Sequence, residues 1–518
     1  MQVRPAGFDD LANGDIRPLS WSTMVSFDKS YDEDVTFFTL DQSILDGTDI
    51  LGPSEDNPLQ AWDFYDYKDY TDRIVFMSWE RELEFPFSIV SATADFQFNN
   101  YDKYFTPNSG SPIASNVLPK RPVRLLSGLG STLLPQFVGL TQGMPEVDED
   151  NRLATFTALD FLTQIYDLPM RNTIAMSYVT TDEVLANIFM QFGLSPGQYD
   201  LAKGVNRIPF LFFERGQQTA GEVIRSLMQA EMGMLWLDET GIIRFRPRLE
   251  QPVTPSYYLD NESIVSLSTS GDDQIINKVT IETNVREVQE FQVVFSKESN
   301  NSQLNVVPPL GDYLFVANLT DPNLSIDTPV PGENAGVSWF TAETPDGTVV
   351  PTGVSVSSVE LKTNTYEILF SNSNSFSVNI AQVELWGQPA KEISVEPTIY
   401  ENLDTDSVGK YEIQNLSITN NFIQSIDQAR SLALTILDEY SEYNDIIEAE
   451  VKGNPAIQLS DIVEVDYLHY SGQYRVIGNK NKLQDQKYTQ ILRMKRYNPR
   501  NWFILDQSQL NGTDVLAP

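Results

Sequence analysis

The stretch from Leu83 to Asp167 constrains the fold of this chain more tightly than any other. Ala92, Ala94, Phe96 and Phe98 alternate with Thr93, Asp95 and Gln97, the period of two that a strand shows when one of its faces is buried. A loop rich in Pro, Asn, Ser and Gly follows. Beyond it, Pro122 to Ser127, Gln136 to Thr141 and Arg152 to Leu159 read as three further short strands, divided by Gly128, Gly130, Gly143 and Pro145. Four strands so closely spaced, with polar turns between them, predict a small closed barrel. Arg73 to Trp79 is expected to be its first strand, and the aromatic residues of 60–72 (QAWDFYDYKDYTD) are expected to pack onto its wall rather than to form a sugar-stacking strip.

After Met176 the periodicity becomes helical. Thr180-Thr-Asp-Glu183 is a capping box ahead of Val184, Leu185, Ile188, Phe189 and Phe192, with Gly193 as the stop, and Thr219-Ala-Gly-Glu222 repeats it before Val223, Ile224, Leu227 and Met228. A hairpin follows: Met234 to Leu237, a turn at Asp238-Glu-Thr-Gly241, then Ile242 to Arg246. These elements predict an α/β domain of two helices on a small sheet. Strand patterning returns over 272–296, and 300–396, rich in Asn, Ser, Thr, Pro and Gly, reads as a β-rich insertion. Its Trp339 and Trp386 admit two readings: stacking platforms for a sugar, or core residues, which large apolar side chains usually are. Ser425-Ile-Asp-Gln428 caps a last helix carrying Ala429, Leu432, Ala433, Ile436 and Leu437 on one side, and strands follow to Tyr497.

The sharpest feature outside the barrel is a repeat. Phe38, Leu40, Asp41, Gln42, Ser43, Leu45, Gly47, Thr48 and Asp49 recur in the same spacing as Phe503, Leu505, Asp506, Gln507, Ser508, Leu510, Gly512, Thr513 and Asp514. Asp46-Gly47 and Asn511-Gly512 favour tight turns with positive φ, so each copy reads as a small hairpin or hooked strand. Either the copies pair with each other or cap equivalent sheets within one subunit, or each docks as an added strand on the same kind of acceptor in a neighbouring ring of subunits.

The chemistry of catalysis is sparse. With no cysteine there is neither a disulfide nor a thiolate metal site, and the single histidine, His469, has no G-x-S-x-G elbow to partner and no second histidine for a zinc peptidase site. Gly128-Leu-Gly130-Ser-Thr132 lacks the G-K-[ST] ending of a phosphate loop and reads as a turn. Asp148, Glu149 and Asp150 read as a solvated turn rather than a glycosidase pair, and Asp46 with Asp49, or Asp404 with Asp406, lacks calcium-loop spacing. No cofactor and no catalytic residue is expected. With 72 acidic against 35 basic residues and a net charge of −37, the chain is ill suited to neutralising phosphates, so no sequence-specific nucleic-acid binding is expected. Nothing at MQVRPAGFDD has the pattern of a signal peptide and the longest apolar run, Ile208 to Phe213, is too short to span a bilayer; synthesis in a cytosol is expected.

The order of these parts resembles the tail-tip or baseplate hub proteins of bacteriophages. The resemblance rests on ADFQFNNYDKYFTP, LPKRPVRLL, the G-L-x-x-G turn, FTALDFLTQIYD, the helix followed by MLWLDETGIIRF, DDQIINKVTIET, and VKGNPAIQLSDIVEV with SGQYRVI, and it covers about two-thirds of the sequence. It implies a mainly β, multidomain chain with an α/β domain and two hub-type barrels. The domains read as 1–60, an arm; 61–170, the first barrel; 171–250, the α/β domain; 251–299, strands leading to the second barrel; 300–396, the insertion; 397–500, a helix plus the second barrel; and 501–518, a tail. It also implies a structural homotrimer of the virion's tail tip, not an enzyme. Two barrels per subunit would adapt a sixfold tube to threefold parts and close the tube until DNA passes. The tail tube or a distal tail ring, the tape-measure protein and other tip proteins or fibres are the implied partners. A wall that repels phosphate suits such a conduit, and acidity also keeps an assembly protein soluble. A carbohydrate-binding adhesin and a cell-wall glycosidase stand as alternatives. If the repeated motif docks on a partner ring, deleting 503–518 abolishes assembly with tail components while the thermal midpoint of the truncated chain holds; unchanged assembly and unchanged stability contradict it.

Overall fold

The computed structural model describes residues 2, 8, 12, 18–29, 65–83, 88–170, 176–213, 218–248, 254–269, 275–283, 286–298, 305–321, 323–326, 339–350, 352–361, 365–392, 398–443, 446–484 and 487–497. Strands dominate, as the sequence implies. Fourteen of them form one continuous sheet, numbered here along the chain: β1 (Leu19–Val25), β2 (Lys68–Asp69), β3 (Ile74–Glu82), β4 (Thr93–Asn99), β5 (Pro122–Leu129), β6 (Thr132–Thr141), β7 (Glu146–Asp148), β8 (Leu153–Asp160), β9 (Tyr257–Leu259), β10 (Ile264–Thr269), β11 (Ile446–Lys452), β12 (Ile462–Tyr467), β13 (Tyr470–Gln484) and β14 (Lys487–Arg496).

The first barrel closes in a way that the alternation pattern alone does not reveal. Its strands pair in the order β3-β4-β8-β6-β5-β1-β2, and β2 runs through one 3-10 turn, Thr71–Arg73, straight into β3. One chain segment is therefore both ends of the ladder. The turn is tied down where the ends meet: Tyr70 N donates to Thr23 O at 2.9 Å, and Thr23 N donates to Thr71 Oγ1 at 3.1 Å. Strand β1, which the sequence places in an N-terminal arm, lies in the barrel and pairs with β5 over its whole length. Inward-facing aromatics fill the barrel. Phe98 lies 4.4 Å from Phe105 in a stacked pair, 5.5 Å from Phe96 and 5.8 Å from Phe156, and Tyr70 joins the group from the acidic-aromatic segment.

The second barrel repeats this design. Its ladder runs β10-β11-β14-β13-β12-β9, and β9 continues through a turn at Asp260–Ser263 into β10. Numbered within each barrel, β3, β4, β5, β6 and β8 correspond to β10, β11, β12, β13 and β14, and both ladders read 1-2-5-4-3. The first barrel inserts β1 as a sixth strand, whereas the second closes directly through the parallel pairing of Tyr257–Leu259 with Val463–Val465.

The two barrels are joined by strand pairing. Strand β13 is fifteen residues long. Its first part pairs with β12 inside the second barrel, and its last part pairs with β3 of the first, Phe76 opposite Gln484 through to Glu82 opposite Gly478.

The α/β layer draws on more of the chain than 171–250. Helices α1 (Leu162–Tyr166), α2 (Thr181–Gln191), α3 (Ala220–Glu231) and α5 (Ile426–Tyr440) share one apolar core with the strands Lys278–Thr283 and Asn415–Asn420; α4 (Thr405–Tyr411) lies beside the end of α5, where Ser407 donates to Ser441 O. The cap signals act as expected: Glu183 and Glu222 accept the backbone N–H of Thr180 and Thr219 at 2.9 Å each, and Ser425 and Gln428 exchange bonds of 3.2 and 3.1 Å. Helix α5, expected beside the second barrel, buries Ala429, Leu432, Ala433 and Ile436 here because this core holds the apolar face that matches its stripe. The strand Lys278–Thr283, expected among the strands leading to the second barrel, pairs instead with Thr398–Leu403 and Asn415–Asn420; Val279 and Ile281 on its alternating buried face belong to the helices' core.

The insertion is a two-sheet sandwich spanning Arg286 to Glu392. Its fifteen-residue strand Val378–Glu392 pairs with Arg286–Val288, Gln292–Glu298, Val306–Val307, Asn323–Ile326 and Phe340–Glu343, and faces the sheet of Asp312–Asn318, Thr365–Asn372 and Val354–Leu361.

Phe98→Ala removes the centre of the first barrel's aromatic cluster. It is expected to cost about 3–5 kcal/mol in urea unfolding. A loss below about 1 kcal/mol would mean that the cluster does not hold this barrel together.

Candidate functional site

Where the barrels meet, the sheet presents an outer face lined by charged residues. Glu80 on β3 stands directly opposite Lys480 on β13 and pairs with it at 2.8 Å; Glu82 pairs with Arg493 on β14. The ammonium group of Lys482 lies 5.5 Å over the Phe76 ring. Exposed pairs of this kind add little stability, but they leave this junction balanced in charge within a strongly acidic chain.

Behind that face, the opposite side of the junction is apolar and polar in alternation. Trp79 is buried and stacks on Tyr488 at 6.0 Å, bringing β3 against β14. Arg81, only 3% exposed, donates to Gln136 O on β6 at 2.9 Å and to Glu239 Oε1 at 3.1 Å. Glu239 sits in the Asp238–Gly241 turn of the α/β layer, and its other oxygen accepts from Gln458, in the loop before β12. The Gln136 amide donates to Pro455 O at 2.8 Å. One buried network thus ties the first barrel, the second barrel and the α/β hairpin together. Burial pushes the Glu239 carboxyl upward, and the adjacent Arg81 guanidinium opposes that shift. Nearby Asp160 is pushed up to about 6 by burial, against the N–H groups of Ala92 and Thr163 and the charge of Arg81. Nothing in the sequence marks Arg81 and Glu239 as partners, since they lie in different domains 158 positions apart.

The other sequence-derived candidates fall as follows. All of the repeated motif, Phe38 to Asp49 and Phe503 to Asp514, lies outside the described residues. Trp339 is half-buried, stacked 6.2 Å from Phe370 and packed on the sandwich core, whereas Trp386 is 43% exposed, with its indole N–H donated to Glu384 at 2.8 Å. His469 sits in the hairpin turn between β12 and β13, its ring 4.1 Å from that of Tyr470. Gly128 to Thr132 is a hairpin end, where a Cβ on Gly128 would lie 1.7 Å from Thr132 O; close approach of backbone, not phosphate, explains the glycine. Asp148 binds Asn151 within a turn and Glu149 pairs with Lys103 at 2.9 Å. Asp404 caps α4 through the N–H groups of Asp406 and Ser407. Among the described residues no cluster of three or more His, Asp or Glu is placed to hold a metal ion, and no helix is long and apolar enough to cross a membrane.

The chain is thus a scaffold of two barrels of one strand order that share one sheet. No family model matches the sequence, and no curated protein does. The chain is similar to the 43 kDa tail protein of prophage MuSo2 from Shewanella oneidensis, with a TM-score of 0.45 and 10% identity over 83% of this chain and 96% of that one. It is similar also to a tail protein from Neisseria meningitidis (TM-score 0.46, 8% identity, 92% and 96% covered) and to prophage tail protein gp18 from Listeria monocytogenes (0.41, 10%, 84% and 93%).

A double-mutant cycle measures the buried junction. Arg81→Met and Glu239→Gln are each expected to cost about 3–5 kcal/mol, since each strands its partner, and the double variant to cost less than either. Additive losses would mean that the two groups do not act as a pair.

Proposed function

We propose that the chain is the structural hub of a bacteriophage tail tip, a homotrimer made in the host cytoplasm and carried at the tip of the virion's tail. The observation that supports this most is the internal equivalence of the barrels. Three chains bring six barrels of one strand order into a ring, so a sixfold tail tube or distal ring meets near-equivalent surfaces above while the α/β layers and insertions present threefold surfaces below. Symmetry matching by a duplicated barrel is the mechanism. Among the described strands, β10 pairs on one edge only, with β11, whereas its counterpart β3 pairs on both edges, with β4 and β13. The open edge of β10 suits continuation of the sheet into another chain. The two copies of the repeated motif fit an acceptor that is itself repeated around such a ring.

In this reading the ring closes the tube around the end of the tape-measure protein and opens to let DNA pass. The charge-balanced face along β3 and β13 neither traps nor strongly repels phosphate. No catalytic step is assigned. The exposed Trp386 favours a second role, recognition of a host glycan by the insertion, in addition to the hub.

Gold-labelled antibody against the chain, viewed on intact and detergent-opened particles by electron microscopy, tests the proposal. Label confined to the distal tip of the tail is the expected result. Label on peripheral fibres would replace the hub with the adhesin, and particles without label would remove both.

A further inference from the structure

Each barrel carries the same two-residue hairpin between its third and fourth strands, but in different surroundings. In the first, Leu129 pairs with Thr132 around Gly130 and Ser131, and Gly130 takes a φ of 64°. In the second, Tyr467 pairs with Tyr470 around Leu468 and His469, and Leu468 takes a φ of 56°. That left-handed position suits glycine and strains leucine. Leu468 is also 76% exposed. An apolar side chain held in a strained turn and in water does nothing for the stability of a lone chain.

The hairpin of the first barrel shows what such a turn can do. Leu129 and Leu134 beside it are buried with Phe8, Ala12 and Ala456, and Gln136 reaches Pro455 O at 2.8 Å. Ala456 and Pro455 belong to the loop that joins the second and third strands of the second barrel. By the strand correspondence, the Leu468 hairpin belongs against the loop that joins the second and third strands of a first barrel, residues 100–121. Leu468 stands 76% exposed among the described residues of its own chain, which leaves it open to that loop of another copy.

Charge and apolar surface match across the two sites. Leu118 in the loop is 41% exposed and stands beside Lys120 and Arg121, with Lys29 near enough that burial and these two cations hold its pKa below the usual lysine range. The hairpin side is acidic: Asp466 accepts from Tyr258 Oη at 2.8 Å, with Glu464 and Asp260 close by.

We infer that the Leu468 hairpin of one copy seats on the Leu118–Arg121 ridge of the next copy's first barrel. It repeats between chains the contact that the β5–β6 hairpin makes within one. This rests on the ring proposed above and names the surface that closes it.

The chain has no cysteine, so Leu468→Cys with Leu118→Cys introduces the only two thiols. Treated with a short bismaleimide, the full-length double variant is expected to yield covalent species of up to three chains. Each single variant is expected to stay uncrosslinked between chains. Leu468→Gly relieves the turn, so its thermal midpoint is not lowered, while the concentration needed for assembly in sedimentation rises on the order of tenfold or more. An assembled trimer that the double variant does not crosslink, or a Leu468→Gly chain that assembles like the parent, overturns this contact and leaves the ring standing. A parent chain that stays monomeric at every concentration overturns both.

Discussion

Everything in this molecule hangs on the antiparallel pairing of β3 with the second half of β13. A strand of fifteen residues outruns β12, which pairs with it only from Tyr470 to Arg475, so the rest of that edge is open to β3 while β14 pairs along the other edge to Gln484. The pairing fixes the orientation of the barrels by backbone hydrogen bonds, which allow no gradual rotation, and its alternation sends Trp79 and Arg81 to one side and Glu80 and Glu82 to the other. The charged side becomes the outer face of the junction. The inner side becomes the place where a third layer, the α/β hairpin, is received.

That inner side is held by a buried ion pair, a costly way to join domains. Arg81 and Glu239 must both leave water, and an apolar pair of the same volume would stabilise the junction at least as well. What the ion pair supplies is direction. Arg81 reaches Gln136 and Glu239 at once, and Gln136 reaches on to Pro455, so a misplaced hairpin or a slipped register leaves a charge unpaired in the interior. An interface built in this way tolerates one geometry only.

The parts legible in the sequence are those governed by local periodicity. Alternation at Ala92 to Phe98 located a strand, the S/T-x-x-E/Q boxes at Thr180, Thr219 and Ser425 located helix starts, and Asp238 to Gly241 located a hairpin, because each depends on neighbours within a few residues. What periodicity does not carry is which sheet a strand joins. Leu19–Val25 falls in what reads as an arm and is a barrel wall; Lys278–Thr283 and Gln292–Glu298 both fall in what reads as strands leading to the second barrel, and one lies under helices while the other belongs to the sandwich. The tryptophans divide for a similar reason. Trp339 stacks on Phe370 from the turn before the strand Phe340–Glu343, whereas Trp386 stands on the exposed side of the strand Val378–Glu392, a difference that composition cannot express. The Arg81–Glu239 pair and the equivalence of Gly130 with Leu468 depend on three-dimensional correspondence, so no local signal marks them.

The proposed hub depends on two equivalent barrels per chain building one ring. End-on electron microscopy of the purified assembly, averaged without imposed symmetry, tests it most directly. Six barrel densities of similar size around one axis are expected, with larger lobes at alternate positions where the insertions lie. Three barrel densities around the axis with three displaced outward, or particles of a single chain only, would contradict it.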